Sequence, residues 1–125
     1  MPYPIGGNVY SEQVMDHFKS PRNAGELADA TAQVEVTNPV CGDVLRLAGR
    51  LENGVVVAVR FKASGCVPAI ACGSLLTELM QGRRVEQLAE ITDGQVAEAL
   101  GGLPPASRHA AQLAADALRT LLKQF

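Results

Sequence analysis

Apolar side chains recur at every fourth position near the start of the chain, at Tyr10, Val14 and Phe18, with polar residues between them. That spacing predicts a helix of about two to three turns with one buried face. Ser11 is placed to cap it and Glu12 favours its first turn. Pro21 stops the pattern, and Pro21-Arg-Asn-Ala-Gly25 reads as the loop that follows. The period then shortens to two. Val34 and Val36 flank Glu35, predicting a short strand. Leu45, Leu47 and Leu51 face one way and Arg46 and Arg50 the other. Asn53-Gly54 is the dipeptide a type I′ hairpin turn favours, because both central residues need positive φ. Val55, Val57, Val59 and Phe61 then return along the inner face, with Arg60 and Lys62 outward. These runs predict a three-stranded antiparallel sheet with one solvated face.

Everything after Cys66 reads as helical. Pro68 suits a first helical position, and Ile70, Leu75, Leu76, Leu79 and Met80 supply an apolar face that Gly82 terminates. Thr92-Asp-Gly-Gln95 resembles a capping box for a short helix ending at Gly101-Gly102. Pro104-Pro105 breaks the chain. Ser107 then caps a final helix running to about Lys123, with Leu113, Ala114, Ala117, Leu118 and Leu121 as its buried stripe. Strands followed by helices predict an α+β fold. It has an N-terminal helix, a three-stranded antiparallel sheet with helices packed on one face, and a long C-terminal helix.

Composition narrows the function classes. At 125 residues, 47% hydrophobic and 19% charged, residues 1–125 read as one domain with its own core. The formal net charge is −2 and basic residues do not cluster, which counts against nucleic acid or an anionic membrane as partner. No apolar run approaches the roughly 18 residues of a membrane span. The opening Met1-Pro-Tyr-Pro-Ile-Gly-Gly lacks the charged start and apolar stretch of a secretory leader. Three cysteines, an odd number, argue against a disulfide framework and fit a reducing cytoplasmic compartment.

Two of those cysteines carry the chemistry. Cys41 lies in Asn38-Pro-Val-Cys-Gly-Asp43 and Cys66 in Ser64-Gly-Cys-Val-Pro68, each beside a glycine where a strand meets a turn. Cys66 precedes a predicted helix, whose exposed N–H groups and dipole favour a thiolate. Gly65 leaves room for a bulky ligand. Asp43 can coordinate a metal or hydrogen-bond near one, and His109, at the head of the last helix, offers an imidazole lone pair. Each has a plainer reading: a cysteine as packing, Asp43 as a turn cap, His109 as a polar helix end. The paired glycine-set cysteines outweigh it for Cys41 and Cys66 as metal or cluster ligands, while Asp43 and His109 stand evenly between the plain reading and a ligand role. Cys72, spaced to share a helix face with Ala69, Leu76 and Leu79, reads as a small buried hydrophobe. His17 reads as a surface or core-edge residue. A thiol enzyme with Cys66 as nucleophile is a weaker reading, since no His–carboxylate pair is evident beside it.

These motifs together resemble the U-type iron–sulfur cluster assembly scaffolds, the family of IscU and the NifU N-terminal domain. The resemblance runs through Tyr10-Ser-Glu-Gln-Val-Met-Asp-His-Phe-Lys-Ser-Pro-Arg-Asn-Ala-Gly25, Cys41-Gly-Asp43, and Phe61-Lys-Ala-Ser-Gly-Cys66 with Ala69-Ile-Ala and Ser74-Leu-Leu-Thr-Glu78. It ends at Leu103-Pro-Pro105 and His109. It implies a scaffold rather than an enzyme: a cysteine desulfurase delivers sulfur, iron is added, and a [2Fe–2S] cluster passes to apo-protein acceptors. Some members bind zinc instead, so a zinc-binding or regulatory module that has lost assembly is the alternative. Carried over position by position, the family's ligand set falls on Cys41, Asp43, Cys66 and His109. Two positions depart from the pattern. The family's third cysteine, which commonly takes the transferred sulfur, is Ala110. The Val-Lys after Leu-Pro-Pro is Ala106-Ser107, which counts against docking of the Hsp70-type transfer chaperone. A cluster prefers four thiolates and one subunit offers two, so ligand counting suggests a homodimer sharing a cluster through paired Cys41 and Cys66.

Overall fold

The structure, a computed structural model, describes residues 10–125; the opening segment read above for a leader lies outside them. Helix α1 (Glu12–Lys19) begins where Ser11 Oγ accepts the N–H of Val14, and the same hydroxyl donates to Leu100 O. Strands β1 (Ala32–Thr37), β2 (Val44–Glu52) and β3 (Val55–Ser64) form an antiparallel sheet in the order β1-β2-β3, with Val34 opposite Leu47 and Leu47 opposite Phe61. Five helical pieces follow: α2 (Val67–Met80), α3 (Val85–Leu88), α4 (Asp93–Ala99), a 3₁₀ turn (Pro105–Ser107) and α5 (Arg108–Leu122). Helix α5 packs on β1 and β2, α2 packs on β3, and α1 lies against α2.

The hairpin turn has positive φ at both Asn53 and Gly54, as the Asn-Gly pair demands. The return strand differs from the simple alternation. Leu51 pairs with Val56 and Arg50 with Ala58, so Val57 is the extra residue of a β-bulge. The bulge moves Val56 into the core, fully buried, and leaves Val57 among the exposed apolar residues; Val55 is half-buried. Beyond it the alternation resumes with Val59 and Phe61 inward. The free edge of β3 is covered: Phe61 donates to Asn23 O and accepts from Gly25 N–H, while Val56 and Gly82 complete the hairpin end. A strand edge closed in this way offers no template for edge-to-edge pairing.

Helix α2 starts one residue earlier than the Pro68 signal suggests, with Cys66 as N-cap and Pro68 in its first turn. It is buried almost all round rather than along one stripe. Ala69, Ala71, Cys72, Ser74, Leu76 and Met80 all lie inside, whereas Ile70 and Leu79 are half-buried. Gly73 allows the close approach, since a Cβ there would stand 2.7 Å from the Phe61 ring. Helix α4 has its capping box, with Thr92 Oγ1 accepting Gln95 N–H and Gln95 Oε1 accepting Thr92 N–H. Ser107 precedes α5, but its side chain makes no capping bond; the 3₁₀ turn feeds the helix instead. The expected stripe of Leu113, Ala114, Ala117, Leu118 and Leu121 is buried, together with Ala110 and Ala111.

Candidate metal centre

Three junctions meet at one end of the molecule: the β1–β2 turn, the β3–α2 turn and the 3₁₀–α5 turn. The first is organised by Asn38. Its Oδ1 accepts the N–H groups of Val40 at 2.9 Å and Cys41 at 3.4 Å. Its carbonyl accepts Gly42 N–H, and its own N–H donates to Asp43 O. The chain is thereby folded back on itself, with Gly42 at φ 79°. Cys41 is left exposed at the tip, next to an exposed Val40, while Asp43 turns inward and is buried.

Asp43 is the hub. The Cys66 thiol donates to Asp43 Oδ2 at 3.0 Å, and His109 Nε2 stands 3.9 Å from the same oxygen. One ligand atom each from Cys41, Asp43 and His109 all lie within 4.8 Å of one another. Cys66 is outside that mutual set and joins it through Asp43. Gly65 makes room: at φ 137°, a Cβ there would come within 2.1 Å of Asp43 Oδ1. The arrangement gathers two sulfurs, one carboxylate and one imidazole around Asp43. That donor set suits a thiophilic or borderline cation.

The helix start does not make Cys66 a ready thiolate. Burial pushes its pKa up to about 11, the hydrogen bond to Asp43 acts in the same direction, and the Ala69 N–H only partly opposes them. Removal from water and an anionic neighbour outweigh the dipole at this N-cap. Cys72 is fully buried inside α2, and its pKa is pushed to about 12, chiefly by burial. Ala110 also faces the core, at 1% exposure.

His17 is not at the surface. Its ring is buried, with Nδ1 hydrogen-bonded to Ser74 Oγ at 2.7 Å and Nε2 3.4 Å from Glu78 Oε1. Ser74 Oγ also accepts the Arg22 N–H, Asn23 Nδ2 donates to Thr77 Oγ1, and Arg22 pairs with Asp16. Ser74, His17 and Glu78 stand in the order of a hydrolase triad, but Ser74 is fully buried and no substrate carbonyl could reach it. The network fastens α1 and the Pro21–Gly25 loop to α2.

Sequence reading overlooked Asn38, although Asn-Pro is a turn-initiating pair. It also overlooked Gln112 and Asp116, which share a face of α5 with His109 at helical spacing and border the groove beside Cys41.

An α+β domain with a thiol–carboxylate–imidazole cluster at a three-turn junction has donors that could hold a metal ion. Residues 9–125 match the model of the NifU-like N-terminal domain, and the chain belongs to that family. It is 42% identical over 117 residues to the iron–sulfur cluster assembly scaffold protein IscU 1 of Archaeoglobus fulgidus, covering 94% of this chain and 76% of that one. It is 41% identical over 121 residues to the IscU scaffold protein of Azotobacter vinelandii, covering 94% of each. Among solved structures, the N-terminal NifU-like protein of Brucella abortus superposes with a TM-score of 0.75 at 18% identity, covering 94% of both chains, a likeness of fold. Among the described residues no helix is long and apolar enough to cross a membrane.

Proposed function

We propose that this protein is an iron–sulfur cluster assembly scaffold. Its cargo is iron or a [2Fe–2S] cluster, held by Cys41, Asp43, Cys66 and His109 and passed to apo-protein acceptors. A cysteine desulfurase is the sulfur source. The observation that carries the reading is Asp43, a buried carboxylate touching the Cys66 thiol and facing His109, with Cys41 alongside. Family membership and identities above 40% to IscU scaffolds support the same reading.

Zinc is the second reading, favoured by a specific feature of this chain. With a buried alanine at position 110, one subunit supplies two thiolates rather than three. Two sulfurs, an oxygen and a nitrogen satisfy tetrahedral zinc more readily than a cluster. Anaerobic reconstitution with iron and sulfide, with zinc as competitor, separates the two. Absorbance, metal content and oligomer size are read on wild type, Cys66→Ala and Cys72→Ala. A scaffold gives cluster absorbance that Cys66→Ala abolishes and Cys72→Ala keeps. Zinc uptake without cluster absorbance identifies the zinc form, and cluster absorbance confined to dimers identifies a shared cluster. Equal loss in Cys66→Ala and Cys72→Ala would overturn the ligand assignment.

A further inference from the structure

The described residues include three asparagines, and their side chains are held very differently. Asn23 Nδ2 donates to Thr77 Oγ1 at 3.1 Å, and Asn23 Oδ1 faces Arg60 Nη1 at 3.5 Å. Asn38 Oδ1 accepts two backbone N–H groups, and the residue after it, Pro39, has no N–H with which to attack. Asn53 is exposed at the tip of the β2–β3 hairpin, with no hydrogen-bond partner for its amide among the described residues. The residue after it is Gly54, which has no Cβ to hinder approach and whose N–H donates to nothing. The Gly54 nitrogen and the Asn53 Cγ could close a five-membered ring, and both are free to do so. Only the turn holds them apart. A type I′ turn keeps its first central residue near about φ +60° and ψ +30°, and Asn53 has φ 55°. That backbone sets the Gly54 nitrogen out of the plane that ring closure requires, so the tip must open first. A clamp from the α2–α3 connection opposes the opening. Val85 N–H donates to Gly54 O at 2.9 Å and Val56 N–H to Arg83 O at 2.9 Å, while Arg84 Nη2 lies 3.0 Å from where a Cβ on Gly54 would stand.

We propose that Asn53 is a site of spontaneous modification in this protein, deamidating through a cyclic imide with Gly54 at a rate set by the clamp on the hairpin tip. The Gly54 nitrogen attacks Asn53 Cγ, a C–N bond forms, and the Cγ–Nδ2 bond breaks. Nδ2 leaves as ammonia, taking the proton that the Gly54 nitrogen gives up. Water then opens the imide at either carbonyl. Opening at Cγ leaves aspartate at position 53; opening at the main-chain carbonyl leaves isoaspartate, with the backbone routed through Cβ and Cγ. Asparagine plus water gives the acid plus ammonia, and nothing is oxidised or reduced. Isoaspartate adds one carbon to the backbone of a two-residue loop whose twist matches its strands only at that length. The strain falls on Val56, whose N–H and carbonyl tie the buried hairpin end to Arg83 and Gly82. The tip is at the opposite end of β2 and β3 from Asp43 and Cys66, so the inference stands apart from the scaffold reading.

The test ages the full chain at mildly alkaline pH, at a temperature where it stays folded. Trypsin releases the tip as Leu51–Arg60, in which conversion of Asn53 is read by mass. Isoaspartate is read by labelling with an isoaspartyl methyltransferase. Asn53 is expected to convert while Asn23 and Asn38 stay intact, and Asn53→Gln is expected to remove the product. Chain unfolded in urea should convert faster than folded chain, and Arg84→Ala should speed conversion of the folded chain by at least about twofold. Circular dichroism verifies that Arg84→Ala folds. Gln87→Ala, which removes the acceptor of the Arg84 N–H on the same turn, should act in the same direction. Aged protein is expected to melt at a lower temperature and to lose amide protection in residues 52–56 and 82–85. If Asn53 stays intact in the folded chain after the unfolded chain has fully converted, or if Asn23 or Asn38 converts ahead of it, the assignment is overturned. Rates unchanged in both variants overturn the role given to the clamp.

Discussion

Gly65 and Asp43 constrain one another. Any side chain at position 65 would meet Asp43 Oδ1 at 2.1 Å, and the backbone there already sits at a positive φ that other residues resist. Gly65→Ala is therefore expected to push the carboxylate away from Cys66 and His109. Zinc affinity should fall by at least roughly tenfold, about 1.4 kcal/mol, as titration calorimetry would measure. The Cys66 thiol leads to a second expectation. Its pKa is pushed up to about 11, by burial first and by Asp43 second, so a metal that takes Cys66 as thiolate displaces a proton at any lower pH. Apparent affinity should rise by about tenfold per pH unit for that one proton. Competition titrations across neutral pH check the slope, and a flat profile would mean that the metal does not bind Cys66 as thiolate. A sequence scan sees the glycine and the cysteine as turn residues. It cannot see that the same carboxylate needs the space of one and takes the hydrogen of the other, because Asp43 is 23 positions from Cys66.

At the scale of elements, periodicity carries well where an element has one wet face. The hairpin strands and the α5 stripe follow from it, and α4 from its capping box. It weakens where an element is enclosed: α2 is buried nearly all round, so its sequence has little angular contrast to reveal which side meets β3. The bulge at Val57 escapes for a different reason, since an unbroken run of Val55, Val56 and Val57 fits either face equally. His17 is the third case. Its burial is decided by Ser74 and Glu78 on another helix, and a lone polar residue in an amphipathic helix gives no hint of them. The contact has consequences for stability. Burial, and then Arg22, lower the pKa of His17 from its ordinary 6.5. With the folded value below the unfolded one, the stability due to a neutral buried ring is complete above about 6.5 and is lost as pH falls from there through the lower folded value. Melting temperature should therefore drop on acidification, and His17→Gln should flatten the drop. Ser74→Ala leaves the Arg22 N–H and the His17 ring without their partner, and is expected to cost about 1–3 kcal/mol in denaturant unfolding. The metal affinity should be unchanged, because the network binds α1 to α2 and touches none of the proposed ligands.

For the whole molecule, the proposed ligand set belongs to no single element. Cys41 and Asp43 come from the β1–β2 turn, Cys66 from the start of α2 and His109 from the start of α5, so the site exists only once sheet and helices are assembled. The candidate residues were legible because glycines and prolines mark each turn, but their convergence on Asp43 is a product of topology. A ligand that binds the folded chain through all three junctions stabilises it by mass action, about 2.7 kcal/mol at one hundred times its dissociation constant. Zinc is accordingly expected to raise the melting temperature of wild type. A chelator should reverse the gain, and Cys66→Ala or Asp43→Asn should abolish it, while Cys72→Ala keeps it on a lower baseline because it removes only a buried sulfur from the core. Amide exchange locates the effect. Protection should increase in residues 38–43 and 104–110, which the metal ties together, and remain as it was in the hairpin end near Asn53, which is held by its own ladder and by Gly82. Uniform protection across the chain would instead mean that zinc acts on global stability alone, and protection confined to the Cys66 turn would mean that Cys41 and His109 are not ligands.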